Sequence, residues 1–149
     1  MIELRPITDE NRAAVLALRV SPAQEQFVSG VAESLEEAAR EPGGRAVYRA
    51  VYAGEEPVGF VMWSEDVDGP PYIAHFLWKL LIDERHQGHG YGRQTLDAVA
   101  DRIRSRGARE LWLTADEGEG SPIPFYERYG FERTGELVFD GEMLFRLDL

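Results

Sequence analysis

The chain contains no cysteine, which excludes disulfides, thiolate metal sites and a thiol nucleophile. Histidine is scarce: His75, His86 and His89 stand at no metal-ligand spacing, so no metal is expected. Basic residues are outnumbered, 16 against 27 acidic, for a formal charge of −11. Such a surface repels nucleic acid, whose binders are basic. It concentrates cationic ligands near an acidic mouth, or simply keeps the protein soluble. No apolar run approaches membrane-spanning length. Residues 1–9 lack the basic-then-apolar pattern of a secretory leader, so the expectation is a cytoplasmic protein with no membrane or nucleic-acid partner. At 149 residues, with no repeat, low-complexity tract or long linker, the chain reads as one domain, 1–149. A chain of this length buries about 68–70% of its unfolded surface, enough for a core without staples.

What is present is glycine in one informative place. Residues 87–92 read Gln-Gly-His-Gly-Tyr-Gly, between an apolar run ending at Ile82 and a helical pattern starting near Tyr91. Alternate glycines let backbone N–H groups face inward with no Cβ in the way. The following helix start adds unpaired amides and a positive dipole end, so the stretch suits a phosphate or pyrophosphate. A P-loop is excluded, because Gly92 is followed by Arg93, Gln94 and Thr95 rather than Lys and Ser or Thr. A dinucleotide fingerprint is excluded as well, since its glycines follow the first strand and more than half of this chain comes earlier.

Gln87, Gly90 and Gly92 fill the fixed positions of the Q/R-x-x-G-x-G/A signature, and Phe125-Tyr126-Glu127-Arg128-Tyr129-Gly130-Phe131 resembles a second segment of the same group. The chain thus resembles the GNAT superfamily of acetyl-CoA-dependent N-acetyltransferases. More narrowly, residues 78–83 and the pair Gly141-Glu142 are similar to the bacterial diamine (spermine/spermidine) acetyltransferases. The resemblance implies an α+β fold: a central, mostly antiparallel mixed sheet of about seven strands, flanked by about four helices. It also implies a V-shaped splay between the fourth and fifth strands.

The pattern along the chain agrees in order. Residues 2–7 alternate as a strand, and Thr8 or Asp9 can cap a helix holding Val15, Leu16 and Leu18. Ser21-Pro22-Ala23-Gln24 reads as a helix start with a capping box, and Ser34-Leu35-Glu36-Glu37 repeats the box. Glu41, Pro42, Gly43 and Gly44 end that helical region. Residues 46–52 and 58–63 are apolar strands joined by a hairpin, and residues 72–82 read as one long strand after Gly69-Pro70-Pro71. Leu96, Val99, Ala100 and Ile103 mark the apolar face of the next helix, with Gly107 as its cap. A strand at 110–115, a short helix opened by Ser121-Pro122 and ended at Gly130, and strands at 131–136 and 143–147 follow.

The resemblance assigns roles residue by residue. Backbone groups of Leu80, Leu81 and Ile82 would bond the pantetheine arm. Gln87, Gly88, His89, Gly90, Tyr91, Gly92 and Arg93 would hold the CoA phosphates, with Ser121, Phe125 and Tyr126 beside the cofactor. Arg93 otherwise reads as an exposed residue paired with Asp97 at i+4. Tyr126 is the implied general acid for the CoA thiolate, the plain alternative being a core tyrosine. His75 is the candidate base, with Glu65 and Asp66 as alternatives, or no base where the amine arrives deprotonated. Glu25, Phe27, Glu65 and Trp78 are the candidate substrate contacts. Two departures stand out. The family's Asn and Ala before the tyrosine are Glu119 and Pro122 here, so Ser121 would substitute. Trp78 stands where diamine relatives carry Asp, which weighs against polyamine recognition.

The expected activity is acetyl transfer from acetyl-CoA to a primary amine, foremost a small cationic one, by direct attack and without a metal. A homodimer is compatible with this reading. Acetylation of a protein or aminoglycoside-like amine, or a non-catalytic acyl-CoA sensor, are the alternatives.

Overall fold

The apolar runs on either side of Gly54 form the expected hairpin, β2 (Ala46–Ala53) and β3 (Glu56–Ser64), paired antiparallel. Gly54 takes a φ of +62°, the left-handed value a two-residue hairpin turn requires. In the computed structural model, which describes residues 1–41 and 46–149, β1 (Ile2–Arg5) pairs with β2, and β4 (Leu77–Ile82) pairs with β3. The expected helix stop at Pro42, Gly43 and Gly44 lies outside the described residues. A second sheet has the order β5-β7-β6, from β5 (Glu110–Thr114), β6 (Glu132–Val138) and β7 (Glu142–Asp148). Five helices are described: α1 (Arg12–Leu16), α2 (Val31–Arg40), α3 (Pro71–Ala74), α4 (Tyr91–Ser105) and α5 (Ile123–Tyr129). The fold is thus the expected α+β arrangement, but as sheets of four and three strands.

The sheets touch at one parallel bridge, Phe76 with Trp112, where the Trp112 N–H donates to the His75 carbonyl at 3.0 Å. On one face, the α4 stripe of Leu96, Val99 and Ile103 packs with Val61, Trp63, Leu111 and Phe145. On the other, Val15, Leu18 and Val31 from the α1–α2 region cover Ala50, Phe60, Met62 and Leu81. α4 ends as expected. Gly107 takes φ +93°, its N–H bonds Arg104 O, and Ala108 N–H bonds Ile103 O.

Three expectations are corrected. The long strand 72–82 is not continuous, because α3 occupies Pro71–Ala74 before β4 begins. Pro71 sits in the first turn, where its missing N–H costs nothing, so the prolines start a helix rather than a strand. The box at Ser21 makes its reciprocal bond, Ser21 N–H to Gln24 Oε1 at 3.1 Å, yet only turns follow. α2 begins later, at Val31 after Gly30. Ser34 is therefore buried one turn inside and returns its hydroxyl to Gly30 O at 2.9 Å.

Asp83 fixes the end of β4. Its side chain is 2% exposed and accepts from Arg19 N–H (3.0 Å), Arg85 N–H (3.0 Å) and Arg85 Nε (2.9 Å). Glu84 N–H donates to Arg19 O at 2.8 Å, so the segment after α1 is tied to the strand end twice. Burial pushes the Asp83 carboxyl up, but the Arg85 guanidinium and the two amides outweigh it and hold its pKa below the ordinary value. A depressed carboxylate stabilises the fold above its unfolded pKa of about 3.9, and that share is lost as pH falls through the lower folded value. Asp83→Asn is therefore expected to cost about 1.5–3 kcal/mol at pH 7 in urea unfolding. The difference from the parent should shrink below about pH 4; a constant difference across that range would contradict the ionised, bonded state.

Candidate active site

β4 bonds β3 along one edge, and beyond the Phe76–Trp112 bridge no described strand pairs with the other. The strand end and β5 diverge there. A cleft of about 610 Å³ fills the gap, within the range of small-molecule sites. Leu80 and Ile82 line it, whereas the Leu81 side chain is 2% exposed in the core, leaving Leu81 only its backbone to offer. The opposite wall comes from Leu113, Thr114 and Ala115, and the mouth from the glycine loop and the start of α5.

The three glycines do two different jobs. Gly88 and Gly90 take φ of +84° and +79°, and a Cβ on either would meet nothing closer than Gln94 Nε2, 3.9 Å from Gly90. They bend the backbone and leave it bare. Gly92, in the first turn of α4, would put a Cβ 3.0 Å from the Phe125 ring, so its absent side chain permits α4 and α5 to pack. The first amides of α4 have no partner within the helix and face the same end of the cleft. Gln87 is engaged: its Nε2 donates to Ile82 O and to Gln24 Oε1, both at 2.9 Å, and Gln24 Nε2 returns a bond at 3.2 Å. Gln24 and Phe27 therefore form part of the wall. His89 lies against Tyr91, ring centroids 5.6 Å apart, and Tyr91 lines the cleft.

Arg93 also lines it, and the i+4 pair with Asp97 is not made. Asp97 instead accepts the Tyr129 hydroxyl at 2.6 Å, and the Arg93 guanidinium lies 5.8 Å from the Tyr129 ring centre. Tyr126 is 7% exposed, lines the cleft, and is held between Phe125 and Phe131 at 5.3 and 5.6 Å. Burial raises its pKa, so the phenol keeps its proton throughout the neutral range. Ser121 lines the cleft, but its hydroxyl is engaged with Asp116 O at 2.6 Å and Ile123 N–H at 3.1 Å, starting α5.

A second cavity of about 340 Å³ adjoins the first, and the two share Trp78, Lys79 and Thr114. A β-bulge explains that wall. Trp63 pairs with Leu77 and Met62 with Lys79, so Trp78 is an extra residue, and Trp78 and Lys79 both line the two cavities. Glu37, Glu41 and Glu142 are its carboxylates, and Phe76, Trp78 and Phe139 its aromatic groups. Lys79 Nζ lies 3.5 Å from Glu37 and 3.1 Å from the Ser29 hydroxyl.

Several expected residues are not brought here. His75 follows α3 instead of lying on a strand, its ring nitrogen sits 3.2 Å from Asp66, and it lines neither cavity. Glu65 is held by Arg102 at 2.6 Å and by Arg106, its side chain 9% exposed, and Asp66 is held by Arg106 at 2.6 Å. Both carboxyls are lowered, chiefly by those arginines, which leaves them poor proton acceptors. Glu25 is exposed and lines neither cavity. Sequence reasoning assigned no site role to Thr114, Glu37 or Glu41. Lys79 and Glu142 stood there only as parts of a resemblance, since the residues around this cavity come from α2, β4, β5 and β7.

The family model for the acetyltransferase (GNAT) family matches residues 14–131. A spermine/spermidine N(1)-acetyltransferase of Bacillus subtilis (strain 168) is 31% identical, over 95% of this chain and 94% of its own length. The fission yeast (Schizosaccharomyces pombe) N-alpha-acetyltransferase 30 is 23% identical over 76% of this chain and 83% of its own. Among solved structures, an acetyltransferase from Thermus thermophilus superposes with a TM-score of 0.75 at 23% identity, covering 100% of this chain and 97% of that one. The PaiA N-acetyltransferase of Thermoplasma acidophilum, solved with coenzyme A, gives 0.69 at 14% identity, covering 100% and 99%.

Gly90→Val tests the loop directly. A β-branched residue is a severe outlier at φ +79°, so the loop must rearrange even though the space around it is open. CoA affinity by calorimetry is expected to fall at least about tenfold, roughly 1.4 kcal/mol, with little change in the melting temperature. Parental affinity would remove the loop from the cofactor site.

Proposed function

We propose that this chain, which belongs to the acetyltransferase (GNAT) family and is an acetyl-CoA-dependent N-acetyltransferase, acts on a small cationic primary amine, polyamine-like in charge. The observation that carries this reading is the second cavity. Glu37 and Glu142 line it together with Lys79 and the rings of Phe76, Trp78 and Phe139, and it shares a wall with the cleft that holds the glycine loop and Tyr126. Carboxylates draw the cation in, and aromatic faces suit its charge and methylene chain. The formal charge of −11 acts in the same direction. Trp78 still differs from the Asp of the diamine resemblance; here the negative charge comes instead from α2 and β7.

In this reading the glycine-loop amides and the α4 start bind the cosubstrate's pyrophosphate, and the free edge of β4 bonds its arm. The amine nitrogen attacks the thioester carbonyl carbon, a C–N bond forms and the C–S bond breaks. Tyr126 gives its phenolic proton to the leaving thiolate. A cavity of about 340 Å³ suits a small molecule better than a protein chain.

A panel of amines assayed by thiol release checks the substrate class. Dicationic amines are expected to exceed neutral ones in kcat/KM, and rising salt should narrow the gap, since exposed charges are screened over about 8–10 Å. Equal turnover of both without salt dependence would move the assignment to a neutral or protein amine. No turnover of any amine would favour an acyl-CoA sensor.

Tyr126→Phe removes one hydroxyl from a packed ring. With Tyr126 as general acid, kcat should fall about 10²–10⁴-fold with CoA affinity kept. Tyr129→Phe, which loses only the bond to Asp97, should stay near the parent. A Tyr126→Phe enzyme within about threefold of the parent would make this tyrosine a packing residue.

A further inference from the structure

Acetyl transfer to an amine releases a proton from nitrogen, and the residues expected to take it are elsewhere. His75 faces Asp66, and Glu65 and Asp66 are bound by Arg102 and Arg106. The geometry points to Glu142, at the start of β7, as the group that receives the proton of the acceptor amine. This assignment rests on the reading that an amine occupies the second cavity.

Thr114 carries the argument. It ends β5 and lines both cavities, so it marks the place where cosubstrate and acceptor can meet. Its hydroxyl donates to Glu142 Oε1 at 2.7 Å, which fixes that carboxylate beside the shared wall. Glu142 is half-buried, lines the acceptor cavity, and is in no ion pair among the described residues. The other charged groups facing this cavity are Glu37 and Glu41 from the α2 side and Lys79 from β4. Lys79 sits 3.5 Å from Glu37 and so engages that carboxylate.

The step balances. The neutral amine adds to the thioester carbonyl, giving a tetrahedral adduct with an N–H acid. Glu142 takes that proton, the C–S bond breaks, and the thiolate takes a proton from Tyr126. Glu142 then releases its proton to solvent, and the Tyr126 phenolate takes one back from solvent.

Glu142→Gln keeps an oxygen to accept from Thr114 but removes the proton acceptor, so the strut survives and the chemistry does not. The variant is assayed on the best amine of the panel, whatever its charge, so the outcome is separate from the substrate class. Its kcat is expected to fall about 10²-fold or more, while the KM for acetyl-CoA and the melting temperature stay near the parent. Glu142→Asp, which keeps a carboxylate one methylene shorter, should recover part of the rate. A change in KM for the amine alone, or kcat within about threefold of the parent, would make Glu142 a binding or structural residue and overturn the assignment.

Discussion

The site depends on one unfinished piece of hydrogen bonding. A strand in the middle of a sheet normally satisfies both edges, and buried peptide groups rarely go unpaired. Here β4 is bonded along one side and, after the contact between Phe76 and Trp112, left open along the other. The open edge needs a partner of matching geometry, which an amide-bearing cofactor arm can supply. Everything around it preserves that opening. Asp83 anchors the strand end to Arg19, and Gly92 lets α5 approach closely enough to bring Tyr126 to the gap. Gly59 would drive a Cβ to 2.5 Å from Leu81 O, so the bonded edge also tolerates no side chain there.

Much of this was legible in the sequence, and the reasons are local. The α4 stripe, the Gly107 stop and the Gly54 turn are set by neighbours within a few residues. Those elements appear where periodicity and turn chemistry put them. The glycine loop was legible for the same reason, although one of its glycines serves packing rather than backbone approach. Failures came where distant chain segments decide. The capping residues at Ser21 and Ser34 are good helix starts in isolation, but the segment between them lies against Gln87 and Gly120, and turns win. His75 looked like part of a strand because the two prolines before it read as a breaker. In space they begin a helix that turns the imidazole toward Asp66.

The second cavity was the least legible. Its charged groups come from α2, β4 and β7, separated by tens of residues, and no spacing rule connects them. The bulge at Trp78 is equally invisible, because an inserted residue leaves the apolar run 77–82 unchanged in composition. Yet that single extra residue puts tryptophan and lysine on one wall, facing two cavities at once. Acidity, by contrast, was evident from composition alone, but composition could not say which carboxylates line a cavity.

That shared wall has a kinetic meaning. The two cavities are framed by different elements, the glycine loop and α5 on one side, α2, α3 and the β6–β7 turn on the other. Two molecules, one in each cavity, would not have to queue. Neither would have to leave before the other arrives, which is the arrangement that direct transfer in a ternary complex requires. Each spent product would then compete only with its own precursor, and a compound reaching across Thr114 would block both cavities at once.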